Sequence, residues 1–286
     1  MSVPLDLGIH LAPEIDLATA SRDAIGEFFA DIALAAGPVV MAEYDKDCAV
    51  RAKRDASPVT IADERAEELI LAQLRARASA IPIIAEESAA RGEKTAVGSS
   101  FILVDPLDGT REFIACNGEF TINIALVREG AVVAGAVYAP ALGRLWLAGE
   151  RAYVCSAPVG APLPEASARR RLAIRPAPQE GLVALASRSH GDPATEAFLA
   201  KLPVRERRSA GSSLKFCALA EGQADVYPRF GPTMEWDTAA GEAVLRAAGG
   251  VVRAVEGGDL RYGKAAANFR NGGFIAWGDP ALAGHA

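Results

Sequence analysis

Apolar residues recur at helical spacing from about Ala18 to Tyr44, with a break expected at Gly37-Pro38, and again from Glu64 to Ala78. In the second run Ala66, Leu69, Ile70 and Leu74 fall at i, i+3, i+4 and i+8, which puts them on one helical face. The period then changes. Ile81–Ala85, Phe101–Val104, Thr121–Val127, Val132–Tyr138 and Leu145–Leu147 are short apolar runs that predict strands, with turns at Gly130, Gly143 and Gly149. The Pro- and Arg-rich stretch Ala157 to Pro178 predicts a junction, part of it an exposed hairpin. Beyond it strand and helix patterns alternate: Leu182–Ala186, Pro193–Leu202, Ser213–Glu221, Asp225–Tyr227, Thr238–Ala248, Val251–Ala254 and Gly273–Trp277. Gly249-Gly250 is a stop signal for the helix before it.

Helices, then mostly antiparallel strands, then alternation predict a layered α+β chain. We divide it into an N-terminal subdomain, 1–165, and a C-terminal α/β subdomain, 166–286, with a site where the two meet.

Composition narrows the function. Half of the 286 residues are hydrophobic and 23% are charged, the balance of a folded globular chain. The net charge of -6 weighs against a nucleic-acid partner. An anionic substrate would then need local cations or a metal. No stretch of transmembrane length and no signal peptide are read from the sequence, so a cytoplasmic protein is expected. Cys48, Cys116, Cys155 and Cys217 are scattered without a CxxC pair, which argues against zinc or a disulfide framework and fits a reducing compartment. His10, His190 and His285 show no ligand spacing, and solvated or capping roles are expected for them.

The strongest chemical signal is Val104-Asp-Pro-Leu-Asp-Gly-Thr-Arg-Glu-Phe113. An apolar strand runs into Asp105, Pro106 is expected to end its ladder, and Asp108 and Gly109 follow before a helical turn from Arg111. Two carboxylates on a tight turn can hold a cation, and free amides at the start of the next turn can hold an anion. A metal-assisted phosphatase needs both. The plain alternative is an Asp-rich turn with a helix cap. Three further sites bear on the choice. Ile83-Ile-Ala-Glu-Glu-Ser88 sets Glu86 and Glu87 at the mouth of a strand. Ser57-Pro-Val-Thr-Ile-Ala-Asp63 places Asp63 at a helix start, and Glu235-Trp-Asp-Thr-Ala-Ala-Gly241 places Asp237 at another. Each of these aspartates reads equally as an N-cap. Carboxylates without His or Cys select Mg²⁺ over zinc.

DPLDGT, with AEES upstream and WDTAAG downstream, resembles the lithium-sensitive, magnesium-dependent phosphatase superfamily of inositol monophosphatase and fructose-1,6-bisphosphatase, over roughly Ala24 to Trp277. The closer resemblance is to the bacterial 3'(2'),5'-bisphosphate nucleotidases of the CysQ type. It rests on Ser57-Pro-Val-Thr60, Asn117 to Leu126, Val137-Tyr-Ala-Pro140, Gly211-Ser-Ser-Leu-Lys-Phe-Cys217 and Tyr227-Pro-Arg-Phe-Gly-Pro-Thr233.

The resemblance implies a layered α/β/α/β/α sandwich with a mostly antiparallel N-terminal sheet and a mixed C-terminal sheet. It implies two or three Mg²⁺ ions. The first would be held by Glu86, Asp105 and the Leu107 carbonyl, and the second by Asp105, Asp108 and Asp237. Thr110 and Asp63 are expected to orient and deprotonate the attacking water, with Glu87 supporting the shell or acting as a ligand. The amides of Gly109 and Thr110 would cradle the phosphate, with no phosphoenzyme. Where inositol monophosphatases carry a glutamate before the WD motif, this chain has Arg229 in a stretch one residue longer, and a guanidinium suits a second phosphate. Lys215 is either another positive contact or a solvated helix lysine. Gly211, Ser212 and Ser213 face substrate or cap a helix.

The expected substrate is a small phosphorylated nucleotide, adenosine 3',5'-bisphosphate, hydrolysed to AMP and phosphate as a by-product of sulfate assimilation; 3'-phosphoadenylyl sulfate is a further candidate. The alternatives are a phosphatase of the superfamily acting on inositol monophosphate or a sugar phosphate, and a metal-binding regulator without catalysis. A monomer or homodimer is expected, cytoplasmic or peripheral at the inner membrane. The N-terminal extension and Arg169-Arg-Arg171 are left without a role, the latter as a solvated loop.

Overall fold

In the computed structural model, residues 14–49, 58–78, 81–93, 95–186 and 192–284 are described, without the side chains of 46–49 and 58–60. The histidines, the extension before residue 14, and the Cys48 and Ser57–Thr60 side chains lie outside the described residues. The first half runs α1 (Arg22–Ala49), α2 (Pro58–Arg77), β1 (Ile83–Ala85), α3 (Glu86–Ala90), β2 (Ser100–Asp108), α4 (Thr110–Ile114), β3 (Thr121–Arg128), β4 (Ala131–Ala139), β5 (Arg144–Ala148), β6 (Ala152–Ser156) and β7 (Arg170–Arg171). The second runs β8 (Leu182–Ala186), α5 (Pro193–Leu199), β9 (Val204–Ser209), α6 (Leu214–Ala220), β10 (Val226–Arg229), β11 (Thr233–Met234), α7 (Glu235–Ala247), β12 (Val251–Ala254), β13 (Arg270–Asn271) and β14 (Phe274–Trp277).

Strands β1 to β7 form one sheet in sequence order, parallel at β1–β2 and antiparallel elsewhere. The second sheet is ordered β12-β14-β10-β8-β9 and is mixed, because β8 is parallel to both its neighbours. Alternation along the strands assigns the layers. In β2, β3 and β4 the even-numbered Ile102, Val104, Ile122, Ile124, Leu126, Ala134, Ala136 and Tyr138 pack with α1 and α2. The odd-numbered Phe101, Leu103, Ala125, Val127, Val137 and Ala139 pack with α6, α7 and the inner face of the second sheet. Its outer face, Leu182, Ala184, Val226, Ile275 and Trp277, packs on α5. The five layers expected of the chain are therefore present. Close packing at the centre depends on Gly135, where a Cβ would sit 3.1 Å from the Ala240 Cα of α7.

Several expectations are corrected. Helix α1 does not break at Gly37-Pro38 but runs through Pro38, because burial of Ile32, Ala33, Ala36 and Val40 outweighs one lost backbone bond. Without that break, Arg22–Asp45 is apolar and long enough to span a membrane by length and composition, contrary to the sequence reading. In the fold 61% of that window is buried in protein, as in a core helix. Helix α2 begins at Pro58, so Asp63 lies inside it rather than at its start. Arg170 and Arg171 are solvent-exposed as expected, but they form a strand and not a loop. Residues 170–171 are the last strand of the first sheet, Arg169 pairs with Glu27, and Arg170 bonds Glu221 at 2.8 Å. The first sheet thus runs six residues past the expected boundary at 165. Cys116 is disulfide-bonded, where the sequence argued against a disulfide framework; it lies outside any CxxC spacing that could have signalled it. Cys155 and Cys217 are free and buried.

Candidate active site

Side-chain parity brings the acids together. Asp105 is the next odd position after Leu103, so it faces α7 across from Asn123, its partner on β3. The register between β2 and β3 shifts between Asp105 and Asp108. Pro106 therefore does not end the ladder, as expected from sequence; it lies in a bulge, where a residue without an N–H is tolerated. The Leu107 N–H turns back to Asp105 Oδ1 at 3.0 Å. Gly109 follows with φ +98°, and a Cβ there would meet the Glu119 carbonyl at 3.2 Å, so the turn needs glycine. Thr110 opens α4.

Strand β1 is parallel to β2, with Ala85 opposite Val104, which delivers Glu86 beside Asp105. Asp237 is the third residue of α7, where its Oδ2 accepts the Met234 N–H at 2.7 Å. Glu86, Asp105 and Asp237 each bring a carboxylate oxygen within 4.8 Å of the others. Asp108 and Glu87 lie outside this trio. Asp108 Oδ2 accepts from Ser212 Oγ at 2.6 Å, the Ser213 N–H at 2.8 Å and Asn123 Nδ2 at 3.4 Å. Asp63 is 4% exposed, and its Oδ1 has no hydrogen-bond partner.

These carboxyls are held far from their ordinary acidity. Burial, then the neighbouring Glu86, Asp108, Asp237 and Asp63, raises Asp105 well above the usual range. Burial and Asp108 push Glu86 up to about 7 and Asp237 up to about 8. Burial and Glu86 push Asp63 up to about 9. Crowded carboxylates of this kind are relieved either by protons or by a cation. The donors are all oxygen, without His or Cys, and the set fits a hard divalent ion.

A pH dependence follows. Each of these groups holds a proton more tightly folded than unfolded, so metal-free protein should lose stability as pH rises from about 4, the unfolded value, through about 7 to 9. A divalent ion bound there would replace those protons. Thermal unfolding should show a gain of about 5–10 °C with saturating Mg²⁺ near pH 8.5 and a much smaller one near pH 5.5. A gain independent of pH would contradict the assignment.

Beside the acids lies a cleft of about 300 Å³, lined among others by Asp108, Thr110, Lys215, Tyr227, Arg229 and Asp237. Lys215 is not a solvated helix lysine. It is 6% exposed, donates to the carbonyls of Ala210 and Ser212 at 3.0 and 2.8 Å, and lies 5.2 Å from the Tyr227 ring. Burial pulls its pKa down to about 8. Arg229 Nη2 donates to the Pro232 carbonyl at 3.1 Å, while its buried Nε has no partner. Ser212 and Ser213 do not cap α6 with their side chains. Ser212 takes φ +53° to reach Asp108, and Ser213 Oγ donates to the Asp237 carbonyl at 2.8 Å. The Gly211 N–H donates to Glu119 at 2.9 Å, and a Cβ on Gly211 would lie 2.4 Å from the Glu119 carbonyl. Asn123 and Glu119 were not singled out from sequence. Both lie in the Asn117 to Leu126 stretch that carries the resemblance, and strand parity from Asp105 points to Asn123.

Comparison with known proteins bears on this geometry. The model of the inositol monophosphatase family matches residues 22–277. "3'(2'),5'-bisphosphate nucleotidase CysQ" of Escherichia coli (strain K12) is 44% identical over 230 residues, covering 79% of this chain and 89% of that protein. The protein of the same description from Buchnera aphidicola is 39% identical over 248 residues, 86% of this chain and 90% of the other. The crystal structure of CysQ from Bacteroides thetaiotaomicron matches with a TM-score of 0.76 and 39% identity, over 89% of this chain and 97% of that one. SuhB of Mycobacterium tuberculosis, at 22% identity and a TM-score of 0.68, shares the fold.

Proposed function

The chain belongs to the inositol monophosphatase family, and we propose that it is a Mg²⁺-dependent 3'(2'),5'-bisphosphate nucleotidase that converts adenosine 3',5'-bisphosphate to AMP and phosphate. The phosphatase class and the nucleotidase activity rest on the 44% identity to the E. coli nucleotidase. The observation that carries the choice of substrate is one cleft that combines Asp108 and Asp237 with Arg229 and Lys215. A substrate with two phosphates needs both kinds of group, one set at the reacting phosphate and cations for the other.

Glu86, Asp105, Asp237, the Leu107 carbonyl and the unspent oxygen of Asp108 are the donors that would hold the ions. Mg²⁺ bound there supplies Lewis acidity, which acidifies the attacking water and offsets charge on the leaving oxygen. The residues do the rest. Asp63, with an unpartnered Oδ1, takes the proton of a water that the Thr110 hydroxyl orients. The amides of Gly109 and Thr110, at the start of α4, hold the phosphate oxygens. Ser212 and Ser213 fix Asp108. Arg229 offers its guanidinium to the 5'-phosphate, and Lys215 adds positive charge to the same cleft. The sulfated form, 3'-phosphoadenylyl sulfate, presents a 5'-linked anion in the same position and belongs to the same reading, as does a place in cytoplasmic sulfur metabolism.

Product analysis tests this. Adenosine 3',5'-bisphosphate should give AMP carrying the 5'-phosphate. Adenosine 3'-phosphate as the main product would reverse the assignment of the two ends of the cleft.

A further inference from the structure

We propose that Glu67 is a positioning residue that fixes Glu86 for the metal and registers it against Asp63; this rests on the metal-dependent reading above. Helix α3 is only five residues long and starts at Glu86, directly after strand β1. Its first amides need an acceptor. The residue before it, Ala85, makes no side-chain cap. The acceptor comes from another helix. Glu67 Oε2 accepts the Glu87 N–H at 2.8 Å, and Oε1 accepts Ser88 Oγ at 2.7 Å and Arg91 Nη2 at 3.1 Å. The Glu67 carboxylate is 2% exposed on its side-chain atoms, whereas Arg91 is 50% exposed, so the acceptor is buried and its counter-ion is outside.

Glu67 stands one helical turn after Asp63 on α2, and residues at i and i+4 share a face. One rigid helix therefore carries both the acid that takes the water's proton and the clasp on the turn that presents Glu86. The clasp is costly in electrostatic terms, since Glu67 adds to the negative charge that raises Asp63, Glu86 and Glu87. A neutral cap on α3 itself would satisfy the same amides without that repulsion. What the carboxylate adds is a three-donor tie between α2 and the Glu86 turn.

Partners of metal ligands typically change metal affinity or activity by about 10- to 100-fold when removed. Glu67→Gln keeps the shape but replaces an acceptor with a donor facing Ser88 and Arg91 or the Glu87 N–H. Calorimetric titration of the full chain with Mg²⁺ alone should show affinity about 10-fold weaker. The KM for adenosine 3',5'-bisphosphate at saturating Mg²⁺ should stay within about twofold, because Glu67 is not a lining residue of the cleft. Ser88→Ala, which removes one donor, should shift Mg²⁺ affinity in the same direction by a smaller factor, and it serves if Glu67→Gln does not fold. Glu86→Gln is the control. If it lowers Mg²⁺ affinity and both other variants leave it unchanged, the positioning role is wrong. If Glu86→Gln also leaves it unchanged, the metal site itself is wrong.

Discussion

Asp105→Asn should abolish Mg²⁺-dependent turnover and at the same time raise the melting temperature of the metal-free protein. Asp105 is 1% exposed, among Glu86, Asp108, Asp237 and Asp63, and its carboxyl is raised well above the usual range by burial and by those neighbours. The amide is nearly isosteric and still accepts the Leu107 N–H at Oδ1, so the bulge keeps its geometry. What it loses is the negative charge. Removing a single electrostatic contact to a transition state costs on the order of 10²–10³ in kcat. Asp105 is the carboxylate proposed to serve both ions, so a loss of about 10³ or more is expected. What it gains is relief of like-charge crowding, and metal-free Asp105→Asn should therefore melt above the metal-free parent near pH 8. Steady-state phosphate release and thermal unfolding without metal check the two halves. Residual activity within tenfold of the parent would remove Asp105 from the metal centre.

Arg229→Glu should separate bisphosphate from monophosphate substrates. Arg229 lines the cleft, and its guanidinium has one hydrogen bond, from Nη2 to the Pro232 carbonyl, which leaves donors for an anionic ligand. A hydrogen bond to a charged group contributes about 1.5–3 kcal/mol, or roughly 10- to 100-fold in binding. Reversing the charge adds repulsion of the second phosphate. KM for adenosine 3',5'-bisphosphate should rise by about 100-fold, with KM for adenosine 3'-phosphate within about threefold. Equal effects on the two substrates would remove Arg229 from the 5'-phosphate site and leave the metal centre standing.

The layers were legible because buried strands and helices differ in period. β8 and β12 begin and end where the apolar runs of Leu182–Ala186 and Val251–Ala254 do. β9 was missed because Val-Arg-Glu-Arg-Arg-Ser has no apolar alternation. It is an edge strand, stabilised by parallel pairing with β8 and by pairs such as Arg207–Glu196 and Arg208–Glu206, and its charges suit an unpaired edge. Helix α7 starts at Glu235, three residues before its apolar pattern. The fully buried Glu235 carboxylate accepts the Gly263 and Lys264 N–H groups at 2.8 and 2.9 Å, a tertiary contact without sequence signature.

The site divides along the same line. Glu86 and Asp105 were readable because acids at the ends of apolar runs are rarely solvated, whereas Asp237, equally an N-cap by itself, was readable through the WDTAAG resemblance; the fold brings all three together. Asp63 reads as an N-cap or, through the resemblance, as the base, whereas Glu67 looks like an ordinary exposed acid in Ala-Asp-Glu-Arg-Ala-Glu-Glu. Only the packing of α2 against the Glu86 turn shows them to be buried. The ties from Ser212 and Ser213 to Asp108 span about a hundred residues, beyond the reach of any local pattern.

The most direct test of the account is phosphate release with Mg²⁺ from adenosine 3',5'-bisphosphate, inositol 1-phosphate and fructose 1,6-bisphosphate at matched concentrations. The account predicts a kcat/KM for the adenosine compound at least about 100-fold above either of the others, the factor assigned to the Arg229 contact. Equal or faster release from inositol 1-phosphate or fructose 1,6-bisphosphate would contradict it.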